Sequence, residues 1–239
     1  GMPIGKQIAD LRRAPAFVIG TVGRIKDLAE KKALPLSAFG YVVLDEVDQM
    51  LDMGFVDDIT RIMKSVREER QTLFFSATMP PKIRELTAKF LKDPVAVEIA
   101  APHKTVNIKQ DIVRVADRAK KFEELERLLM RPELEKVLVF SETKRDVERL
   151  AVELNKRGFS AESIHGDKRQ RERTRSLTLF RDGKAKILVA TDVAARGLDI
   201  KDISHVINYT VPQTYEDYVH RIGRTGRAGK GGAAYTFVE

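Results

Sequence analysis

Residues 41–48 read Tyr-Val-Val-Leu-Asp-Glu-Val-Asp, a short apolar run followed at once by acidic residues. The run has the length and β-branched character of a buried strand. Carboxylates directly after a buried parallel strand lie where open α/β sheets bind ligands. One such acid can hold Mg²⁺ through its water shell, while its neighbour orients or deprotonates an attacking water. The alternative is purely structural, because acids also favour the positive end of a helix dipole.

Similar short runs recur on both sides of this stretch, separated by segments with a helical apolar period. Their alternation is typical of βαβ units and predicts an α/β fold with parallel sheets. One helix is expected around Phe122–Leu129 and another from Thr143-x-x-Asp146, a capping-box pattern, to Gly158. The predicted strands are Ala16–Thr21, Tyr41–Asp45, Thr72–Ser76, Val95–Ile99, Val137–Ser141, Ser160–Ile164, Lys186–Ala190, His205–Asn208 and Ala233–Val238.

The segment Ala100–Gln110 contains Pro102 and lacks an apolar period, which is typical of a linker between domains. We therefore expect a first domain over residues 1–103, a linker over 104–110 and a second domain over 111–239. The two halves resemble each other in pattern without repeating in sequence.

Composition excludes several classes of protein. The 239 residues include no cysteine, which rules out disulfide frameworks, thiol nucleophiles and zinc or iron–sulfur sites that need thiolates. The apolar runs are strand-sized, so we expect a soluble, cytoplasmic protein without a membrane span. The formal net charge is +8, with 15 Lys and Arg against 14 Asp and Glu in residues 1–103, and 28 against 21 in residues 104–239. The basic half suggests a polyanionic partner, although a solvated basic surface would give the same composition.

A second chemical motif lies near the C-terminus, where residues 220–229 read His-Arg-Ile-Gly-Arg-Thr-Gly-Arg-Ala-Gly. Arginines three positions apart among glycines can bring guanidinium groups close to a phosphate, because glycine allows close approach and arginine binds oxyanions with two parallel hydrogen bonds. A solvated basic loop would explain the charge but not the repeated spacing.

Taken together, seven motifs in order make the chain resemble the core of a DEAD-box ATP-dependent RNA helicase of superfamily 2. They are Thr21-Val22-Gly23-Arg24, Asp45-Glu46-Val47-Asp48, Ser76-Ala77-Thr78, Val139–Lys144, His165-Gly166-Asp167 with Gln170-x-x-Arg173, Ala190-Thr191-Asp192 through Arg196-Gly197-Leu198-Asp199, and His220–Arg227. The resemblance implies two RecA-like domains that close over ATP·Mg²⁺ and single-stranded or short duplex RNA.

The resemblance also implies a role for individual residues. Asp45 would hold Mg²⁺ through water and Glu46 would position the hydrolytic water. Asp48, Ser76, Thr78 and His220 would couple the nucleotide site to domain closure. Arg224 and Arg227 would act as arginine fingers, and Gly197 and Asp199 would contact the ribose side of the nucleotide. The sugar–phosphate backbone of RNA would be held, without sequence preference, by Thr21, Gly23, Arg24, Thr143, Arg173, Thr191 and Arg196.

One family element is missing. No G-x-x-x-x-G-K-[ST] loop occurs in the sequence, and Gly1–Gln7 does not substitute for it, because its glycines are too close together and Gln7 stands where the hydroxyl is required. We therefore expect an N-terminally truncated first domain with exposed apolar surface, and no ATPase activity in this chain on its own. The alternative function is a non-catalytic RNA-binding or regulatory module. A DNA translocase of the same superfamily fits the signatures less well.

Overall fold

A computed structural model describes residues 2–99, 108–117, 120–195, 198, 200–226 and 231–239. The chain divides into two compact units, Met2–Ile99 and Ala100–Glu239. Each unit is described on its own. No helix in the described ranges has the length and apolar character needed to cross a membrane.

The first unit is a small parallel sheet covered by helices. Strands β1 and β2 pair in parallel, from Tyr41 opposite Gln71 to Leu44 opposite Phe74. The core is apolar, with Val47, Ile59 and Ile83 each no more than 1% exposed. In chain order the elements are α1 (Ile4–Leu11), α2 (Val22–Glu30), a short 3₁₀ turn (Leu36–Ala38), β1 (Tyr41–Leu44), α3 (Val47–Asp52), α4 (Val56–Ser65), β2 (Gln71–Phe74) and α5 (Pro81–Phe90).

Two strands predicted in this unit are not formed. Ala16–Thr21 and Val95–Ile99 are irregular, and their side chains are open to solvent, with Ile19 98% and Val95 88% exposed. A β-branched sequence becomes a strand only when a neighbouring strand accepts its backbone hydrogen bonds. The described sheet of this unit contains β1 and β2 only, so neither segment has such a neighbour.

The expectation of exposed apolar surface in the first unit is confirmed. Along β1, Tyr41 is 74% and Val43 57% exposed, whereas Leu44 is buried. Alternate residues of a strand point to opposite faces of the sheet. One face of β1 therefore lies open while the other packs on the core.

The second unit contains a six-stranded parallel sheet in the order β3-β8-β7-β4-β6-β5. The central strands β4, β6 and β7 are buried at every position. Its elements are β3 (Ile108–Arg114), α6 (Lys121–Leu129), β4 (Val137–Phe140), α7 (Lys144–Lys156), β5 (Ala161–Ile164), α8 (Gln170–Arg181), β6 (Ile187–Ala190), α9 (Asp192–Ala195), β7 (His205–Asn208), α10 (Tyr215–Ile222) and β8 (Gly232–Val238).

Strand β3 was not among the predicted strands. It begins at Ile108, inside the segment expected to be a linker, and pairs along its whole length with β8. Its sequence, Ile-Lys-Gln-Asp-Ile-Val-Arg, is mostly polar because β3 lies at the edge of the sheet. Residues 104–107 of the expected linker lie outside the described residues.

Helix α7 begins and ends where the sequence predicts. Thr143 Oγ1 accepts a 3.1 Å hydrogen bond from the Asp146 amide, and Gly158 adopts a φ of +86° just beyond the helix. Its apolar stripe of Val147, Leu150, Ala151 and Leu154 is buried. The stripe faces the sheet and fixes the start of the helix beside the end of β4.

The outer edge of β5 is covered locally by a side chain. Asn155 Nδ2 donates to the Ala161 carbonyl at 2.8 Å, and Asn155 Oδ1 accepts from the Ala161 amide at 3.2 Å. The amide group therefore satisfies both backbone groups of Ala161, as an additional strand would.

Candidate functional site

The acidic loop follows β1 with an unusual backbone turn. Glu46 adopts the left-handed conformation, with φ 53° and ψ 48°, which costs a residue other than glycine about 1–3 kcal/mol. The turn is held on both sides, because the Asp45 carboxylate accepts from the Glu46 amide and the Val47 amide donates to the Phe75 carbonyl at 3.1 Å. The Asp45 and Glu46 side chains are both exposed at the carboxyl end of β1.

Asp48 joins this loop to the Ser76-Ala77-Thr78 segment after β2. Its Oδ2 accepts three hydrogen bonds, from the amides of Ala77 and Thr78 at 3.0 Å each and from the Thr78 hydroxyl at 3.1 Å. Asp48 is 7% exposed, and Ser76 Oγ closes the turn by donating to the Thr78 carbonyl at 2.7 Å. These bonds hold the acidic loop and the Ser76–Thr78 segment together. The structure brings together Asp48, Ser76 and Thr78, the residues to which the resemblance assigns a coupling role.

Thr21, Gly23 and Arg24 lie together at the start of α2. Thr21 is the N-terminal capping residue, and its side chain makes no capping hydrogen bond to the first amides of the helix. Such amides are suited to an oxyanion. The Arg24 guanidinium donates to the Met2 carbonyl at 3.0 Å and to Gln7 Oε1, so it also attaches α1 to α2.

In the second unit, the residues expected to contact RNA follow three neighbouring strands. Thr143 follows β4, Thr191 follows β6, and Arg173 lies in the first turns of α8, which follows β5. Thr191 is 8% exposed, and the Thr143 hydroxyl also donates to Asp146 Oδ2 at 2.6 Å. Strands β5, β6 and β4 are adjacent, so the topology places these residues at one edge of the sheet.

A charged network holds the loop before α8. Glu148 Oε2 accepts from the Ser163 hydroxyl at 2.6 Å and lies 3.2 Å from His165 Nε2 and 3.3 Å from Lys168 Nζ. Burial alone would raise the pKa of the Glu148 carboxyl, but the hydrogen bonds from Ser163 and His165 and the charge of Lys168 together lower it. Beside this network, the hydrogen bond from Lys144 lowers the pKa of Asp167.

Arg221 forms a buried polar centre that the sequence did not single out. Its guanidinium binds both Asp192 oxygens at 2.6 and 2.7 Å and donates to the Thr210 carbonyl at 2.6 Å. It also donates to Asn208 Oδ1 at 3.3 Å and lies 5.1 Å from the centre of the Phe140 ring. Arg221 is 4% exposed, although arginine is seldom buried. The only signal in the sequence is its three-residue spacing from Arg224.

Arg221 ties α10 to the start of α9 and to the ends of β4 and β7. Arg224, one turn further on, donates to the Leu198 carbonyl at 3.4 Å. His220 is half-buried on α10. Arg196, Gly197, Asp199 and Arg227 lie outside the described residues.

The acidic loop after β1 has a carboxylate suited to a magnesium nucleotide. Among the described residues, no three His, Cys, Asp or Glu side chains form a group that could enclose a metal ion. Mg²⁺ commonly keeps several waters and takes one or two carboxylates together with phosphate oxygens. The exposed Asp45 carboxylate at the end of β1 fits that mode of binding.

Two family descriptions match the chain. The DEAD/DEAH box helicase family matches residues 1–86, and the helicase conserved C-terminal domain matches residues 120–229.

Curated relatives match along the whole chain. It is 49% identical over 239 residues to the DEAD-box ATP-dependent RNA helicase CshA of Bacillus subtilis, covering 100% of this chain and 48% of that protein. It is 51% identical to CshA of Geobacillus kaustophilus, again over 100% of this chain and 51% of that protein. The chain thus spans about half the length of the curated relatives it matches.

Solved structures of RNA helicases resemble this chain as well. Yeast Dbp5 bound to RNA and ADP BeF3 superimposes with a TM-score of 0.78 at 34% identity, over 92% of this chain and 59% of that one. An ATP-dependent RNA helicase from Sulfolobus tokodaii, described as hypothetical, superimposes with a TM-score of 0.53 at 38% identity, over 100% of this chain and 69% of that one. The prediction of two α/β units with parallel, RecA-like sheets is confirmed. The chain belongs to the DEAD-box RNA helicase family.

Proposed function

We propose that this chain supplies most of the core of an ATP-dependent RNA helicase, which couples ATP hydrolysis to RNA binding and local unwinding of short duplexes. The observation that carries the proposal is the contact of Asp48 with Ala77 and Thr78. It connects the acidic loop to a second segment, so that a change at the nucleotide can be transmitted through the unit. The relatives named above are RNA helicases, which supports the same assignment.

On the nucleotide side, Asp45 holds Mg²⁺ through water, and Glu46 positions the water that attacks the terminal phosphate. Arg224 and Arg227 act as arginine fingers, and Gly197 and Asp199 contact the ribose side. Mg²⁺ supplies charge neutralisation at the phosphates when it is bound. The exposure of both side chains at the carboxyl end of β1 supports these roles, because exposed acids there are accessible to a magnesium nucleotide.

On the RNA side, the proposed contacts are to the sugar–phosphate backbone, which gives binding without sequence preference. Asp48, Ser76, Thr78 and His220 couple these contacts to the nucleotide. The residues that hold RNA are Thr21, Gly23, Arg24, Thr143, Arg173, Thr191 and Arg196. The start of α2, where the Thr21 side chain makes no capping hydrogen bond, supports RNA contacts from the first unit.

We also propose that the first domain covers residues 1–103 and that the second begins at Ile108, where β3 starts, and not at the expected residue 111. The linker is then shorter than the expected 104–110. The protein is proposed to act in the cytoplasm. The chain on its own is proposed to lack ATPase activity, since the sequence contains no G-x-x-x-x-G-K-[ST] loop. That same absence favours a second candidate function for the isolated chain, a non-catalytic RNA-binding module.

The test uses a protein of the relatives' length that contains this chain. Glu46→Gln should lower RNA-stimulated ATP turnover at least about a hundredfold while leaving ATP-dependent RNA binding intact, because a neutral amide does not activate water. Asp57→Asn, the same change at an exposed acid of α4, is the matched control and should leave turnover unchanged. Retained turnover in Glu46→Gln would contradict the catalytic assignment.

A second substitution separates hydrolysis from RNA affinity. Arg227→Ala should lower hydrolysis far more than RNA affinity measured without nucleotide, because an arginine finger acts on the phosphates. Equal losses of both would contradict the finger role. Nucleotide-independent RNA binding with no turnover in the unsubstituted protein would favour the non-catalytic module instead.

A further inference from the structure

The start of β8 packs unusually closely against the turn that carries Arg224. A Cβ atom placed on Gly232 would lie 2.3 Å from Thr225 Oγ1, 2.9 Å from Thr225 Cγ2 and 2.7 Å from the Gly226 backbone nitrogen. These separations are far below van der Waals contact. Gly232 does not have a left-handed φ, so the close approach, and not backbone freedom, requires glycine at this position.

Thr225 has no room to move away. It is 2% exposed, and its hydroxyl is placed to donate to the carbonyl of Ile203 at 2.5 Å and to that of Ser204 at 3.0 Å. The Ser204 carbonyl also accepts the Ala233 amide at 3.2 Å. The Ser204 carbonyl therefore joins the turn that carries Arg224 to the beginning of β8.

Strand β8 and Gly226, which also border the close approach, are held in place as well. Strand β8 is paired on both edges, with Gly232 opposite Ile108 of β3 and Ala233 opposite His205 of β7. Gly226 adopts a φ of +66°, a conformation that closes the turn and that side chains disfavour. A group added at Gly232 must therefore displace the Thr225–Gly226 backbone, which follows Arg224 directly.

We propose that Gly232 is a positioning residue for ATP hydrolysis: its missing side chain sets the position of the turn Arg224-Thr225-Gly226 and, through it, of the Arg224 guanidinium. The inference rests on the proposed function, in which Arg224 is an arginine finger. A misplacement of about 1 Å in a catalytic group can lower a rate by roughly a hundredfold, so a shift of this size is sufficient.

The chain provides a matched control in the neighbouring glycine. A Cβ atom on Gly231 meets no atom of the described residues within 4 Å, and Gly231 also lacks a left-handed φ. In a protein of the relatives' length, Gly232→Ala should lower kcat for RNA-stimulated ATP hydrolysis at least about tenfold. The KM for ATP and the RNA affinity without nucleotide should stay within about twofold, and Gly231→Ala should match the unsubstituted protein in all three quantities.

A double substitution distinguishes the positioning of Arg224 from a merely structural role of Gly232. In an Arg224→Ala background, Gly232→Ala should change kcat by less than about twofold, because both act through the same guanidinium. Additive losses in the double variant would overturn the inference. So would a kcat for Gly232→Ala equal to that for Gly231→Ala.

Two further outcomes keep the inference separate from folding and from the proposed function. If Gly232→Ala does not unfold cooperatively, Thr225→Val takes its place, since it removes the hydroxyl bonds of the same turn at nearly constant volume. It must lower kcat with RNA affinity retained, and an unchanged kcat would overturn the inference. Absence of RNA-stimulated hydrolysis in the unsubstituted protein would overturn the proposed function and the inference together, whereas hydrolysis insensitive to Gly232 overturns the inference alone.

Discussion

Strands β1 and β4 have nearly interchangeable sequences, Tyr-Val-Val-Leu and Val-Leu-Val-Phe, and very different surroundings. Among the described residues 2–99, β1 pairs only with β2, and two of its four residues are largely exposed. In the second unit β4 lies between β6 and β7, and all four of its residues are buried. An apolar run therefore predicts a strand, whereas the number of neighbouring strands decides how much stability that strand contributes.

The largest expected difference between the units is in amide hydrogen exchange. Amides of Val139 and Phe140 in β4 should exchange roughly a thousandfold more slowly than those of Val43 and Leu44 in β1, a difference of about 4 kcal/mol in opening free energy. Exchange followed by mass spectrometry or NMR on the whole chain measures this ratio. Equal protection of the two strands would refute the comparison.

The next effect concerns buried charge. Arg221→Met should destabilise the second unit by about 3 kcal/mol, because Asp192 loses its partner and the Thr210 carbonyl loses its donor. Arg24→Met in the first unit should cost less than about 1 kcal/mol, since the partners of Arg24 are neutral. Urea unfolding monitored by amide exchange in each unit measures both values, and a larger loss for Arg24→Met would contradict the prediction.

A matched valine pair tests the strands themselves. Val139 is 0% and Val43 57% exposed, and each is the third residue of its strand. Val139→Ala should cost about 2 kcal/mol through lost burial and a cavity, and Val43→Ala less than about 0.5 kcal/mol. The readout is the protection of β6 amides for Val139→Ala and of β2 amides for Val43→Ala. Similar costs at the two sites would show that β1 is buried in solution.

The smallest effect is a dependence on pH that only the second unit should show. Burial lowers the pKa of His205 below its ordinary value of 6.5, against the charges of Glu133 and Glu135, which raise it. Below pH 6.5 the unfolded chain therefore binds more protons than the folded one, and the stability of the second unit should fall. His205→Gln should flatten this dependence, as measured by urea unfolding between pH 7 and 5.5. Residues 2–99 contain no histidine, so the first unit is the internal control.

The second unit could be predicted from sequence more fully than the first. Helix α7 is specified locally by the Thr143 cap, a four-residue apolar stripe and Gly158. Strand β3 was missed because an edge strand needs few apolar residues, and Ala16–Thr21 was predicted wrongly because its composition says nothing about a pairing partner. Both errors concern neighbours, which lie far away in the sequence.

In the candidate site, too, local motifs could be predicted from sequence, whereas contacts between distant segments could not. The position of the acids directly after β1 could be predicted from the motif, whereas the hydrogen bonds of Asp48 with Ala77 and Thr78 came from the structure. The buried Arg221 centre and the close approach of Gly232 to Thr225 could not be predicted, because burial and distance arise from the packing of whole elements. Sequence therefore suggested candidate functional residues, and the structure added buried and closely packed residues around them.

The side chain of Asn155 has a consequence for the behaviour of the chain at high concentration. Strand β5 is an edge strand of the large sheet. The unpaired backbone groups of an edge strand are where a second copy can add its own strand. Because Asn155 occupies both backbone groups of Ala161, an incoming strand would first have to displace that amide. A single side chain thus opposes strand addition at Ala161, the first residue of that edge strand.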